Sequence, residues 1–339
     1  MQMHFLLPSI KHPDALHSAA DNSGVKGHVQ AKDEPWYSAY EHLTTLKLAQ
    51  TPWNASPQGI LVRGSPDPNL GLPENYQHAY SDAHSAYQQA LRWLLTGDTS
   101  FADAAVKTLN GWGFTLYNVS GNEDRFLTTG FYGYQLANAA ELMPSYSGWS
   151  SSDQKKFGTM LNNVFAKNNT VAYGALPYFS IANFTEDGSG KELMQGQEAG
   201  RDQGHALLCM VMLGVTGQQG ANQGVDLFGA YGNEILTAAE YAAKYNIVHD
   251  VPFKVYDTYE GTEVCYWSSF RYDIRPGFET LYAHYADVKG MNASWMKFFR
   301  DYVNANLTIN MKGGGGDYDP NSGVSMHLGL RLICRVSGN

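Results

Sequence analysis

The sequence predicts an all-α fold, an (α/α) toroid or incomplete helical barrel of antiparallel helical hairpins, on three observations. Apolar residues recur at spacings of three and four in about eight segments. Short Gly-, Pro- and Asn-rich connections join these segments, so successive helices should lie antiparallel. Strand-like runs are scarce, with only "PFKVYDTY" and "CYWSSFRYDI" as candidates. An α-solenoid is the alternative, but the hairpins lack a constant period. The 339 residues, 43% of them apolar, supply ample material for a core.

The first clear helix is "ENYQHAYSDAHSAYQQALRWLLTGD", with Tyr80, Ala83, Tyr87, Ala90, Leu91 and Leu94 on one stripe and Gly97 as its end. "TSFADAAVKTLNGWG" restarts from Asp98 or Thr99 as N-cap and is expected to stop at Gly111. "DRFLTTGFYGYQLANAAELM" is a third helix, closed by Pro144, and "SSDQKKFGTMLNNVFAK" a fourth with a Ser/Asp N-cap. Four more follow: "QEAGRDQGHALLCMVMLGVTG", "VDLFGAYGNEILTAAEYAAKYN", "IRPGFETLYAHYADVKG" and "ASWMKFFRDYVNANL". Residues 168–190 read as irregular, and the tail from Met311 opens on four glycines with no clear element after them.

The net charge of −9 and the lack of a basic run give no nucleic-acid footprint. An acidic chain can still bind an anionic polymer through a local Arg/Lys/His cluster. No run approaches a membrane span. Cys209, Cys265 and Cys334 are too few and too far apart for a disulfide framework and match no zinc spacing. With 22 Tyr and 7 Trp, the aromatic content suits either a core or sugar-stacking surfaces, and core filling is favoured. Six N-x-S/T triplets, at Asn54, Asn118, Asn168, Asn183, Asn292 and Asn306, lean toward a secreted glycoprotein whose leader is missing from this chain.

Two clusters carry chemistry. In "GQEAGRDQGHALL", Arg201 and His205 are four apart and Glu198 three before Arg201, which would put all three on one helix face. By periodicity alone this reads as a solvated first turn with an intrahelical ion pair. In "SSFRYDIRPGFETLYAHY", Arg271 and Arg275 precede Tyr282 and His284, with Pro276 suited to a first helical turn. An Arg–Tyr face is usually a packed stem with polar tips. The same set would also serve β-elimination on a uronic acid. There the C5 proton becomes acidic only when the adjacent carboxylate is neutralised. A Tyr or His then removes it, and an acid protonates the departing O4. No clustered Asp/Glu/His set offers metal-ligand spacing, so neither metal nor cofactor is expected.

"HPDALHSAAD", "EPWYSAYEHL", "AYQQALRWLLTGDTSFADAAVKTLNGW", "GNEDRFLTTGFYGYQLANAAELM", "GQEAGRDQGHALL", "GVDLFGAYGNEILTAAEYAAKYN" and "RPGFETLYAHY" together resemble the alginate-lyase-like polysaccharide lyases, closest to polysaccharide lyase family 38. The similarity runs from about residue 12 to residue 323. It implies one toroid domain over residues 1–339, with 1–11 and 324–339 peripheral, acting as a monomer on an anionic polyuronate such as alginate or glucuronan. His205 resembles the family's catalytic histidine, a candidate base. Tyr282 resembles the catalytic tyrosine, a candidate acid and also a base. Arg275 resembles the arginine that holds the carboxylate, with Arg271 as its rival. Arg201 and Gln197 would be supporting or subsite groups. Tyr80, His84, Arg125 and Tyr134 are further subsite candidates, with Asp82 and Tyr132 beside them.

The chain departs from the family between "LNNVFAKNN" and "GQEAGRDQGH", where an Asn-bearing helix is expected. Roughly fifty residues are absent there, judged from the hairpin count of a toroid. Asn168 and Asn169 are poor substitutes for that Asn. The departure motivates a second expectation: a catalytically impaired relative that binds anionic polysaccharide. A glycoside hydrolase would need two facing carboxylates, but Glu198 and Asp202 would lie in a single helical turn rather than on opposite walls.

Overall fold

The computed structural model describes residues 11–34, 36–168, 183–186, 192–258, 261–269, 271–272 and 277–306. Over these the chain is mostly helical. The first half holds α1 (Ala19–Ala31), α2 (Trp36–Thr45), α3 (Tyr76–Thr96), α4 (Thr99–Thr115), α5 (Asp124–Glu141) and α6 (Ser151–Met160), which runs on as a π-helical turn, Leu161–Ala166. The second half holds α7 (Gln203–Asn222), α8 (Ala230–Asn246), α9 (Phe278–Tyr282), which continues as a π-helical turn Ala283–Val288, and α10 (Ser294–Asn306). Three two-stranded sheets accompany them. β1 (Ile60–Arg63) pairs in parallel with β2 (Asn118–Gly121). β3 (Asn183–Glu186) pairs antiparallel with β4 (Glu192–Gln195), and β5 (Tyr256–Thr258) antiparallel with β6 (Gly261–Glu263).

Local chemistry sets most helix ends. The Ser18 hydroxyl accepts from Asp21 N at 3.1 Å while Asp21 accepts from Ser18 N at 2.9 Å, a reciprocal capping box that starts α1. Periodicity alone had not marked α1 or α2. Gly97 closes α3 in the left-handed region, φ 79°, and Asp98 caps α4 by accepting from Ser100 N at 2.9 Å. Ser150 starts α6.

The expected stop of α4 at Gly111 is corrected: the helix runs on to Thr115. Gly111 and Gly113 are packing notches. A Cβ on Gly113 would come within 3.0 Å of the Phe157 backbone on α6, so the missing side chain lets the two helices approach. The expected helix over "QEAGRDQGH" is corrected as well. Residues Gln197–Ala199 form a 3₁₀ turn, and α7 begins only at Gln203 behind Asp202. "PFKVYDTY" contributes β5, whereas the described part of "CYWSSFRYDI" forms no regular strand. Within 168–190 only Asn168 and β3 are described; the tail from Met311 lies outside the described residues.

Two cores result. One unites α1–α6 around Trp112, Tyr87, Leu91, Leu109 and Phe157. In it the buried Asp82 carboxylate accepts from the indoles of Trp53 and Trp112 and from Ser56 N, each at 2.8 Å. Asp82 is a core organiser, and burial pushes its carboxyl above the usual range against those three donors. The second core unites α7–α10 around Phe228, Phe278, Leu281, Tyr285 and Phe299. Trp112, Tyr87, Tyr132, Phe157, Phe228, Phe278, Tyr285 and Phe299 serve as core filling. Leu16, Val215 and the ring of Tyr134 pack together between the first helix's approach and α7. The amides of Asn222 and Gln223 add bonds to the carbonyls of Ala15, Asp14 and Lys11.

Candidate functional site

The loop Gly196–Asp202 delivers a polar cluster to the start of α7. Asp202 is its N-cap, with extended backbone. Its Oδ1 accepts from His205 N at 2.8 Å and its Oδ2 lies 2.6 Å from His205 Nδ1. One carboxylate therefore caps the helix and orients the imidazole. A carboxylate on Nδ1 selects the tautomer with its proton there, which leaves Nε2 as the basic nitrogen. The His205 side chain is 48% exposed and that of Asp202 only 14%. Burial pushes the Asp202 carboxyl up. The bonds from the His205 ring and amide, and the charges of His205 and Arg201, outweigh it and hold the group below the usual range.

Arg201 and His205 do not share a helix face, because Arg201 precedes the cap. The Arg201 guanidinium instead reaches Glu198 Oε2 at 3.4 Å and remains 40% exposed. Glu198 is buried, and burial pushes its carboxyl upward against the pull of Arg201. The β5–β6 hairpin covers this loop. Gly200 N donates to the Tyr256 hydroxyl at 3.0 Å, and a Cβ on Gly200 would lie 2.7 Å from Glu263 Cβ. On the other side Gln203 N donates to Ser269 O at 3.0 Å and Trp267 N to Ala199 O at 3.3 Å.

Tyr282, at the end of α9, is half-buried against the second core. The guanidinium of Arg300 on α10 lies 4.0 Å from its ring centroid. Arg300 is itself held by Asp301 at 2.8 Å and Glu279 at 3.7 Å. The Arg beside Tyr282 among the described residues is thus Arg300, which nothing in the local sequence pattern indicated. Arg275 lies outside the described residues. Its rival Arg271 is committed elsewhere: its Nε donates to Tyr245 O at 2.8 Å and its guanidinium stacks 4.0 Å over the Tyr245 ring.

The helix that carries Tyr282 packs on α7 beyond its first turn, where His205 lies. A Cβ on Gly277 would meet Val211, and one on Gly214 would meet Leu281 at 3.2 Å. Leu281 therefore packs at Gly214, nine residues beyond His205, or about 13 Å along the helix axis.

The remaining candidates scatter. Tyr80 and His84, expected as subsite groups, are buried, at 2% and 1% exposed. Arg125 turns back on its own chain, donating to Gly121 O at 3.1 Å and lying over the Phe126 ring. Tyr134 is half-buried between the two halves, beside Leu16 and Val215. Tyr132 is buried, and burial pushes its phenol up to about 12. The Gln197 side chain lies outside what the structure describes.

A cleft of about 420 Å³ opens between the start of α1, the end of α7 and the 280–289 segment, with His17, Asp21, Asp226, His284 and Lys289 in its lining. Neither His205 nor Tyr282 lines it. Burial holds the His284 ring below its usual pKa, the Lys289 charge adds to this, and Asp226 opposes it. Among the described residues no group of three or more His, Cys, Asp or Glu is placed to hold a metal. No described helix is long and apolar enough to cross a membrane.

Comparisons with models of known protein families, with curated proteins and with solved structures give no match to this chain. The chemistry of the chain rests on its own residues.

Proposed function

We propose that this chain is a secreted polysaccharide lyase that cleaves a 1,4-linked polyuronate, alginate or glucuronan, by β-elimination on a single helical toroid domain. The observation that carries the reading is the 2.6 Å contact between Asp202 and His205 Nδ1, which leaves a partly exposed imidazole with Nε2 as its base. In the reaction His205 Nε2 takes the C5 proton, the C4–O4 bond breaks, a C4=C5 double bond forms, and an acid returns a proton to O4. Tyr282 is the family-derived candidate for that acid, and Arg275 for the group that neutralises the substrate carboxylate. Arg201 supplies a further exposed guanidinium beside the base. The order of helices in the two halves, with short connections between α3 and α4, supports the hairpin architecture. The exposed sequon residues Asn54, Asn118, Asn292 and Asn306 are compatible with a secreted glycoprotein.

The test is direct. The protein is incubated with polymannuronate, polyguluronate and glucuronan while the absorbance of the unsaturated product is followed. Product from at least one polymer, abolished in His205→Ala, is expected. A folded sample that releases none from any of them refutes the lyase.

The packing of Leu281, the neighbour of Tyr282, at Gly214, nine residues beyond His205, favours a second reading. If no second group reaches the sugar held at His205, the chain binds anionic polysaccharide without cleaving it. That reading predicts retained affinity without product, and His205→Ala would leave affinity almost unchanged.

A further inference from the structure

Trp267 is a large apolar side chain left in water beside the polar loop. Its indole is 56% exposed. Its backbone is fixed: Trp267 N donates to Ala199 O at 3.3 Å, and Trp267 O accepts from Gln203 Nε2 at 3.0 Å. The indole Nε1 donates to the Ser269 hydroxyl, which restrains the ring as well. The preceding residue, Tyr266, turns inward, its ring 4.4 Å from Tyr245 and 5.9 Å from Phe253. Trp267 turns outward instead. Its hydrogen-bond partners, Ala199 and Gln203, bracket the residues that lead into Asp202 and His205. The fold thus holds a rigid, exposed aromatic face alongside the approach to the candidate base.

We propose that Trp267 is a sugar-ring platform, stacking on a pyranose of an acidic polysaccharide that lies across the His205–Asp202 pair, with Arg201 facing a ring carboxylate. The inference rests on the lyase reading and adds a binding residue to it. The C–H face of a pyranose matches an indole face, and the sugar hydroxyls keep water at the rim. Charge alone would not hold a polyanion here. Glu198, Asp202 and Glu263 surround the loop, and of the cations near it Arg201 is drawn to Glu198 and Arg271 is only 18% exposed. An uncharged stacking contact meets that difficulty, because it draws on the apolar face of the ring rather than on its carboxylate.

The test uses the full chain with Trp267→Ala and Trp267→Phe, each checked for an unchanged melting temperature, and a glucuronate tetrasaccharide as probe. Trp267→Ala should raise KM about tenfold with kcat within about twofold, and Trp267→Phe should recover most of the loss. An unchanged KM in Trp267→Ala, with the wild type active, overturns the platform and leaves the lyase standing. If the wild type releases no unsaturated product, the lyase reading fails, and tryptophan fluorescence decides the platform. A change on adding the tetrasaccharide, present in the wild type and absent in Trp267→Phe, upholds it; no difference between the two overturns it. Concentration-dependent dimerisation that Trp267→Ala abolishes also overturns it, by assigning the indole to a contact between copies of this chain.

Discussion

Asp202 grips His205 twice, at the main-chain amide and at the ring Nδ1, with 2.8 and 2.6 Å contacts from the two oxygens of one carboxylate. The first contact belongs to folding and the second to chemistry, and they can be separated by substitution.

Asn is as good an N-cap as Asp, whereas Ala is a poor one. Asp202→Asn should therefore leave the melting temperature nearly unchanged. Asp202→Ala should lose about 1 kcal/mol of stability. Both should lower kcat on a polyuronate by roughly 10²-fold or more, because the imidazole loses its orienting anion. Calorimetry and steady-state kinetics on the same two variants check this. If Asp202→Asn retains full kcat, the orienting role is wrong.

His17 should make the protein acid-labile. Its ring is buried against the Tyr87 hydroxyl, and burial lowers its pKa to about 4, with the Asp21 charge opposing. Above the unfolded value near 6.5 both states carry neutral His17 and its contribution to stability is complete. As pH falls toward 4 the unfolded chain takes up a proton that the folded chain refuses. Stability then drops, by about 3 kcal/mol at most. Denaturation midpoints between pH 7 and 4.5 should fall more steeply for the wild type than for His17→Gln. Parallel curves would show that His17 is not the sensor.

Two helical glycines should respond to alanine with opposite signs. Gly158, on α6, has nothing within 4 Å of the added methyl, so Gly158→Ala should stabilise by about 0.5–1 kcal/mol. At Gly113 the methyl would meet the Phe157 backbone at 3.0 Å, and Gly113→Ala should destabilise by about 1–3 kcal/mol. Urea midpoints measure both, and equal responses would contradict the packing at Gly113.

The sequons should not be equally used in a secretory host. Asn54 and Asn292 are exposed. Asn118 is exposed too, but it is paired in β2, and the Ser120 of its triplet is buried with its hydroxyl bonded to Asp67. Peptide mass spectrometry should find glycan at Asn54 and Asn292 and little at Asn118. High occupancy at Asn118 would indicate modification before β2 pairs.

What the sequence determined by itself is the run of helices and many of their ends. Gly97, Asp98 and Ser150 mark boundaries through bonds to residues two to four positions away, and a chain read in order carries that information. It also marked His205 as a residue apart from an otherwise apolar helix. The tertiary structure decided what the pattern left open or misjudged. Gly111 looked like a stop because the approach of Pro57, which a Cβ there would meet at 3.3 Å, is not written in α4. The burial of Tyr80 and His84 was not legible either, because a helical stripe does not say whether it faces a cleft or a core. Arg201 and His205 looked coupled until Asp202 took the cap and broke the helix between them. Arg300 over Tyr282 and Trp267 alongside Gln203 are contacts across 18 and 64 positions, set by how α9 meets α10 and how the 266–269 segment lies on the loop before α7. Capping and periodicity act between chain neighbours. Burial and partnership depend on which distant segments the fold brings together.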